Sequence, residues 1–207
     1  MRLNFDKEKL YFIGCLHFNH ANIIKYCNRP FLDVQHMNEQ LIENWNNKVP
    51  KDGKIFLLGD VGFGSAIELR EILDRLNGDI YLINGNHDSP ARNKNCIDRF
   101  SVFNSYQENH TRFSDYYELQ VKDNEAKNGK NQKIILFHYP ILNWVDMYSS
   151  WHLHSHTHGS IQKDEVMKKY YYDNKLVVDV GADACNFTPL SYHDIKQIMN
   201  SKTKKEE

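Results

Sequence analysis

Seven of the eleven histidines, His17, His20, His87, His138, His154, His156 and His158, follow directly on short apolar runs or end them. Their neighbours are also donors: Cys15 lies two places before His17, Asp60 closes "LLGD", and Asn86 and Asp88 flank His87 in "GNHD". Imidazole nitrogen with carboxylate and amide oxygen is the mixed donor set that divalent transition metals take. In "HLHSHTH" the alternation would put imidazoles on one face of an extended segment. Singly, each feature has an ordinary explanation: Asp60 could terminate its strand or cap the next turn, and "GNHD" could be a tight turn. Four such clusters, each at a strand end, argue instead for one site built from convergent polar groups. His36, His110, His152 and His193 lack such company and read as surface histidines.

The elements that must position these groups are short. "LYFIG", "KIFLLGD", "IYLINGN", "KIILFHY" and "KLVVDVG" are continuous apolar runs of strand length, the pattern of strands buried on both faces. Between the first two, Asp33 is an N-cap for a helix whose Val34, Met37, Leu41 and Trp45 form one stripe. "AIELREILDRLNG" predicts a second helix, with Ile67, Ile72, Leu73 and Leu76 inward and Gly78 as its stop. Strand, helix, strand, helix, strand opens a layered α/β fold, in which the carboxyl ends of the strands form the rim where ligands bind. Farther on, "YYELQV" and "KIILFH" predict a long hairpin about "KDNEAKNGKNQ", and "KYYY" and "KLVVDVG" a tighter one about "DN". "LSYHDIKQIM" predicts a last helix capped by Ser191 with Asp194 three residues on. The expected organisation is one domain over 1–200 and a charged, disordered tail over 201–207.

Composition narrows the function classes. The chain has 207 residues, 41% hydrophobic and 26% charged, with a formal net charge of −1. That balance gives no bulk basic surface for duplex nucleic acid, whose binding rests on neutralising phosphates. No apolar stretch is long enough for a membrane span, and the opening run is too short and interrupted for a signal peptide. The four cysteines, Cys15, Cys27, Cys96 and Cys185, show no CxxC pairing. Free thiols in a reducing cytoplasm are the expectation.

"GD" at 59–60, "GNHD" at 85–88, "FHYP" at 137–140 and "HSHTH" at 154–158 together resemble the ordered motifs of the calcineurin-like metallophosphoesterases. The correspondence runs from the first strand to "VDVGADACNFTPLSYHDI", and "HFNHANIIKYCNRPF" is similar to a compact, capless bacterial and phage branch. The resemblance implies an α/β (α+β) fold, a two-sheet β-sandwich flanked by helices in four α/β/β/α layers. It implies two divalent metal ions, manganese, zinc or iron, about 4 Å apart, which activate a bridging water against phosphorus. Cys15, His17, Asp60 and His158 would hold one ion, and Asp60, Asn86, His138 and His156 the other. His87 would protonate the leaving group and Asp88 would orient its ring. The expected function is hydrolysis of a phosphomonoester or phosphodiester, on a small phosphorylated or nucleotide-like substrate.

Two departures stand out. Ser155 replaces a glycine, a tolerable exchange between small residues. Cys15 stands where the motif carries aspartate. It could ligate as a thiolate that favours zinc, remain a neutral thiol beside a weak first site, or act as a redox handle. For the substrate, His20 and Arg29 are the positive candidates near the mouth, Arg offering a bidentate fork to phosphate. Trp144, Trp151 and Tyr148 could stack a base, although core or rim packing is the stronger reading. Rival functions are a catalytically weakened member that serves as a binding scaffold, and a nuclease of the same superfamily.

Overall fold

The computed structural model describes residues 5–103, 112–126 and 129–203. After a 3-10 turn at Lys7–Lys9 come β1 (Leu10–Ile13), α1 (Ala21–Tyr26), α2 (Val34–Lys48), β2 (Lys54–Leu58), α3 (Ala66–Leu73) and β3 (Asp79–Ile83). A short turn at Ile97–Arg99 precedes β4 (Phe113–Ser114), β5 (Tyr116–Lys122), β6 (Asn131–Phe137) and β7 (Trp151–His154). The short helices α4 (Ser160–Lys163) and α5 (Glu165–Met167) and a wide helical turn at Lys168–Asp173 lead to β8 (Val177–Asp179), β9 (Leu190–Ser191) and α6 (Tyr192–Thr203).

The strands form two mixed sheets, ordered β4-β3-β2-β1-β9 and β5-β6-β7-β8. In the first, β1 through β4 run parallel and β9 is antiparallel to β1. In the second, β5 and β6 make the long hairpin, and β6, β7 and β8 run parallel. Strand alternation divides the apolar side chains between two cores. Tyr11, Ile13, Ile55, Leu57, Ile80 and Leu82 pack with Met37, Leu41 and Trp45 of α2 and with Leu69, Ile72 and Leu73 of α3. Their alternates Leu10, Phe12, Phe56, Leu58, Tyr81 and Ile83 pack with Leu119, Val121, Ile134, Leu136, Trp151 and Leu153 of the second sheet. A third, smaller cluster joins Ile135 and Val177 to Trp144, Tyr171 and Tyr172. The architecture is therefore mixed α/β, with flanking helices.

α2 begins as read, with the Asp33 carboxylate accepting the His36 N–H at 2.8 Å. Ser191 and Asp194 exchange bonds across the start of α6, as expected. Other expectations are corrected. α3 ends at Leu73, with the turn beyond it still burying Leu76, and Ile67 faces outward while Leu69 takes the inward place. "KYYY" forms no hairpin strand: β8 pairs with β7, and Tyr171 and Tyr172 sit buried in the helical turn. Their aromatic β propensity yields to packing, since Tyr171 donates to the Ile141 carbonyl at 2.9 Å and the Tyr172 hydroxyl lies 2.6 Å from His154 Nε2. His152 is buried, not a surface residue: Nδ1 lies 3.2 Å from the Ile135 carbonyl and Nε2 accepts from Ile141 N–H. Residues 201–203 belong to α6 and are not a disordered tail; His110 and residues 204–207 lie outside the described residues. Among the described residues no helix is long and apolar enough to cross a membrane.

Candidate metal centre

Because β1, β2 and β3 are parallel, and β6, β7 and β8 likewise, the loops after these strands share one rim of the molecule. Asp60, two residues past β2, lies at the centre. Its Oδ2 is 3.6 Å from Nε2 of both His17 and His138. Its Oδ1 accepts the His87 N–H at 2.9 Å, which turns Oδ2 toward the histidines. Around His138, Nε2 lies 3.1 Å from Asn86 Oδ1 and 3.1 Å from His156 Nδ1, while Nδ1 lies 2.8 Å from the Leu58 carbonyl. The contact with Leu58 fixes the ring and its tautomer, which leaves Nε2 as the nitrogen that could ligate a metal.

On the other side, donor atoms of Cys15, His17 and His158 lie within 4.8 Å of one another, and Cys15 is equally close to Asp60 and His138. Cys15 is fully buried, and burial pushes its thiol up, against hydrogen bonding to His158. Burial lowers His17 to about 2, helped by the nearby His158 and Arg29 charges, so its imidazole is neutral and fit to ligate. His158 is the opposite case: burial opposes its charge, yet hydrogen bonds to Asp183, Cys15 and Cys27 hold it up at about 12, so a cation would have to displace its Nε2 proton before the ring could ligate.

Five of the seven residues to which the metal role was assigned hold left-handed backbone: Cys15 (φ 50°), His17 (55°), Asp60 (54°), His156 (37°) and His158 (50°). Such conformations cost about 1–3 kcal/mol each in non-glycine residues and gather at functional sites. They also show where the extended His-x-His face ends: His152 and His154 share one buried face of β7, whereas "HSHTH" turns and brings only His156 and His158 to the rim. The packing leaves no slack here. A Cβ on Gly59, itself at φ 78°, would approach His138 Nδ1 to 2.5 Å, and one on Gly85 would collide with Asp60 Oδ1. Ser155 packs equally closely, donating to the Leu58 carbonyl at 2.5 Å.

These residues fit a bound cation. Both ring nitrogens of His17 are buried, 3% of the residue being exposed, and neither has a hydrogen-bond partner, which is costly for an imidazole unless it serves a ligand.

Arg29 and Asp88 do not stand where the sequence put them. Arg29 is buried, with its N–H groups directed inward: Nε and Nη2 to Asp183, Nη2 also to the Cys15 carbonyl, and Nη1 to the Leu16 carbonyl and Met37 Sδ. These five contacts use the five donors of a guanidinium, so none remains for a substrate phosphate. Asp88 is buried and accepts the N–H groups of Asp60, Val61 and Gly85; it does not orient the His87 ring. His87 is exposed, with Phe63 at 5.1 Å and His17 at 6.2 Å between ring centroids. His20, half-buried, stacks on Phe63 at 4.1 Å and holds an unpartnered Nδ1. Trp144 and Trp151 pack in cores, and Tyr148 stands exposed.

Three rim residues escaped the sequence reading. Asp183 accepts from His158 Nδ1 at 2.6 Å, and the rule that found Asp60, a carboxylate just past an apolar strand, could have found it in "VDVGAD". Phe63 touches three of the rim histidines and carries no signal of its own. Tyr139, exposed, packs at 4.5 Å on His156.

No family model matches the chain. A crystal structure of AQ665, a protein of unknown function from Aquifex aeolicus, is similar in fold, with a TM-score of 0.62 at 18% identity over 91% of this chain and 98% of that one. An uncharacterized protein of Methanocaldococcus jannaschii, MJ1445, is 33% identical over 186 residues, 89% of this chain and 87% of the relative. At that identity over nearly the full length of both, the chain belongs to the same family as MJ1445.

Proposed function

We propose that this chain is a metal-dependent phosphohydrolase of the calcineurin-like type, folded as that group's four-layer sandwich and cleaving a phosphomonoester or phosphodiester. The observation that carries the reading is the approach of His17 and His138 to one oxygen of Asp60, at 3.6 Å each, beside a buried His17 ring with no partner. Cys15, His17, Asp60 and His158 would hold one ion, and Asp60, Asn86, His138 and His156 the other. Manganese, zinc or iron in these places would supply Lewis acidity to the phosphoryl group and an acidified water as nucleophile.

The chain's own groups divide the remaining work. The exposed His87 ring is free to give a proton to a leaving oxygen, and the bond from its main-chain N–H to Asp60 fixes it relative to the centre. His20, held flat against Phe63, offers a nitrogen to a phosphoryl oxygen. The net charge of −1 fits a small phosphorylated or nucleotide-like substrate better than a duplex. A second reading, a weakened member that binds without turnover, draws on the Cys15 thiol that burial keeps neutral.

Elemental analysis of protein purified without chelator tests the reading, together with turnover of an aryl phosphate and an aryl phosphodiester in added manganese or zinc. About two metal equivalents and hydrolysis of at least one ester are expected. Absence of both bound metal and turnover would overturn it. Activity in Cys15→Asp with none in the unaltered chain would decide for the weakened member.

A further inference from the structure

We propose that Arg29 and Asp183 are positioning residues that fix the Cys15–His17 half of the centre, an inference that rests on the metal-dependent function proposed for this rim. Asp183 Oδ2 accepts from His158 Nδ1 at 2.6 Å. With Nδ1 so engaged, Nε2 is the donor atom left to the group that His158 forms with Cys15 and His17. The same carboxylate is gripped by the Arg29 fork, Nε to Oδ1 at 2.9 Å and Nη2 to Oδ2 at 2.8 Å. The other edge of that guanidinium reaches the carbonyls of Leu16 and Cys15 at 2.8 Å each. One buried cation thus ties the loop after β1, which carries Cys15 and His17, to the ring of His158 on the loop after β7.

The left-handed backbone at Cys15 and His17 needs such a hold, since that conformation costs energy in a residue that carries a Cβ. The Arg29–Asp183 pair is neutral as a unit, so it orients ligands without opposing a cation in the centre. Cys27, His158 and Asp183 also lie within 4.8 Å of one another. They form no separate metal site, because both Asp183 oxygens already face a fixed guanidinium charge. Lysine could not replace Arg29: a single ammonium cannot span a carboxylate and two carbonyls in one plane.

The test is zinc affinity by competition with a chromophoric chelator, on the unaltered chain, Asp183→Ala, Asp183→Asn and Arg29→Lys. Asp183→Ala and Arg29→Lys should loosen one ion about 10–100-fold and leave the other as tight as before. Asp183→Asn keeps an acceptor for Nδ1–H and should recover part of the loss. In the zinc-loaded unaltered chain, nitrogen-15 spectra should show the proton of His158 on Nδ1; in Asp183→Ala that signal should shift or broaden. Equal loosening of both ions, unchanged affinity in Asp183→Ala, or a proton on Nε2 would overturn the proposal. An unaltered chain that binds none of zinc, manganese and iron would instead overturn the metal-dependent function and this inference with it. Should Asp183→Ala fail to fold, Asp183→Asn against Arg29→Lys carries the same comparison.

Discussion

The Asp88 carboxylate accepts three backbone N–H groups, from Asp60 at 3.1 Å, Val61 at 2.8 Å and Gly85 at 2.6 Å, and so binds the loop after β2 to the loop after β3. Burial raises it, and these bonds work in the opposite direction. Its neighbour His87 touches solvent and the ring of Phe63. The two residues therefore fail differently when altered. His87→Ala should slow hydrolysis of esters with poor leaving groups about 10²–10⁴-fold and spare those with good ones, steepening the dependence on leaving-group pKa. Asp88→Asn should leave that slope unchanged and lower stability by about 1–3 kcal/mol, since one amide oxygen cannot satisfy three donors. Rates over a series of aryl and alkyl phosphates, with urea unfolding of both variants, separate the roles. "GNHD" as a sequence shows that a carboxylate adjoins the histidine but not which way it points, because adjacent residues after a strand face different directions. Arg29 fails to be legible for the same reason: charge suggests the mouth, while inward partners set its place.

At the scale of elements, the strands and their carboxyl ends were the most legible part, since an apolar run that stops at His or Asp signals both burial and an edge. α2 was equally plain from Asp33 and the stripe through Trp45, whose indole donates to the Asn77 carbonyl at 2.9 Å. α3 was legible as an element but not in its bounds. Its start lies in an unremarked capping box, where Ser65 Oγ accepts the Glu68 N–H at 3.2 Å and Glu68 accepts the Ser65 N–H at 2.9 Å. The tyrosine-rich turn before β8 could not be read, because its conformation comes from contacts with Ile141 and His154, far away in sequence. The box has a measurable weight. Ser65→Ala should cost about 1 kcal/mol in urea unfolding, the usual loss for a cap, with metal content unchanged because the helix start lies outside the centre's ligand residues. A loss of metal in that variant would show that α3 also holds the loop carrying Asp60 and Phe63.

Over the whole molecule, two sheets direct their parallel strand ends to one rim, and the same strands carry imidazoles into the interior. His152 and His154 on β7 are buried, and burial holds each at about 3, well below the ordinary histidine value. Each is thus neutral in the folded chain, while in the unfolded chain it takes a proton as pH falls through about 6.5. The unfolded state then binds more protons, so the stability fully present above about pH 6.5 is lost progressively toward pH 3. Between pH 7 and pH 5 each such histidine should remove about 2 kcal/mol. His152→Gln keeps a donor and an acceptor for the Ile135 carbonyl and the Ile141 N–H but cannot titrate. Its stability at pH 7 should fall through imperfect packing, yet its loss between pH 7 and pH 5 should be smaller than the unaltered chain's by that same amount. Denaturant unfolding of both proteins at the two pH values, with chelator present so that the rim histidines contribute alike, measures the difference. Equal losses in the two proteins would mean that His152 is solvated or protonated in the folded state, contrary to its place between the second sheet and Trp144.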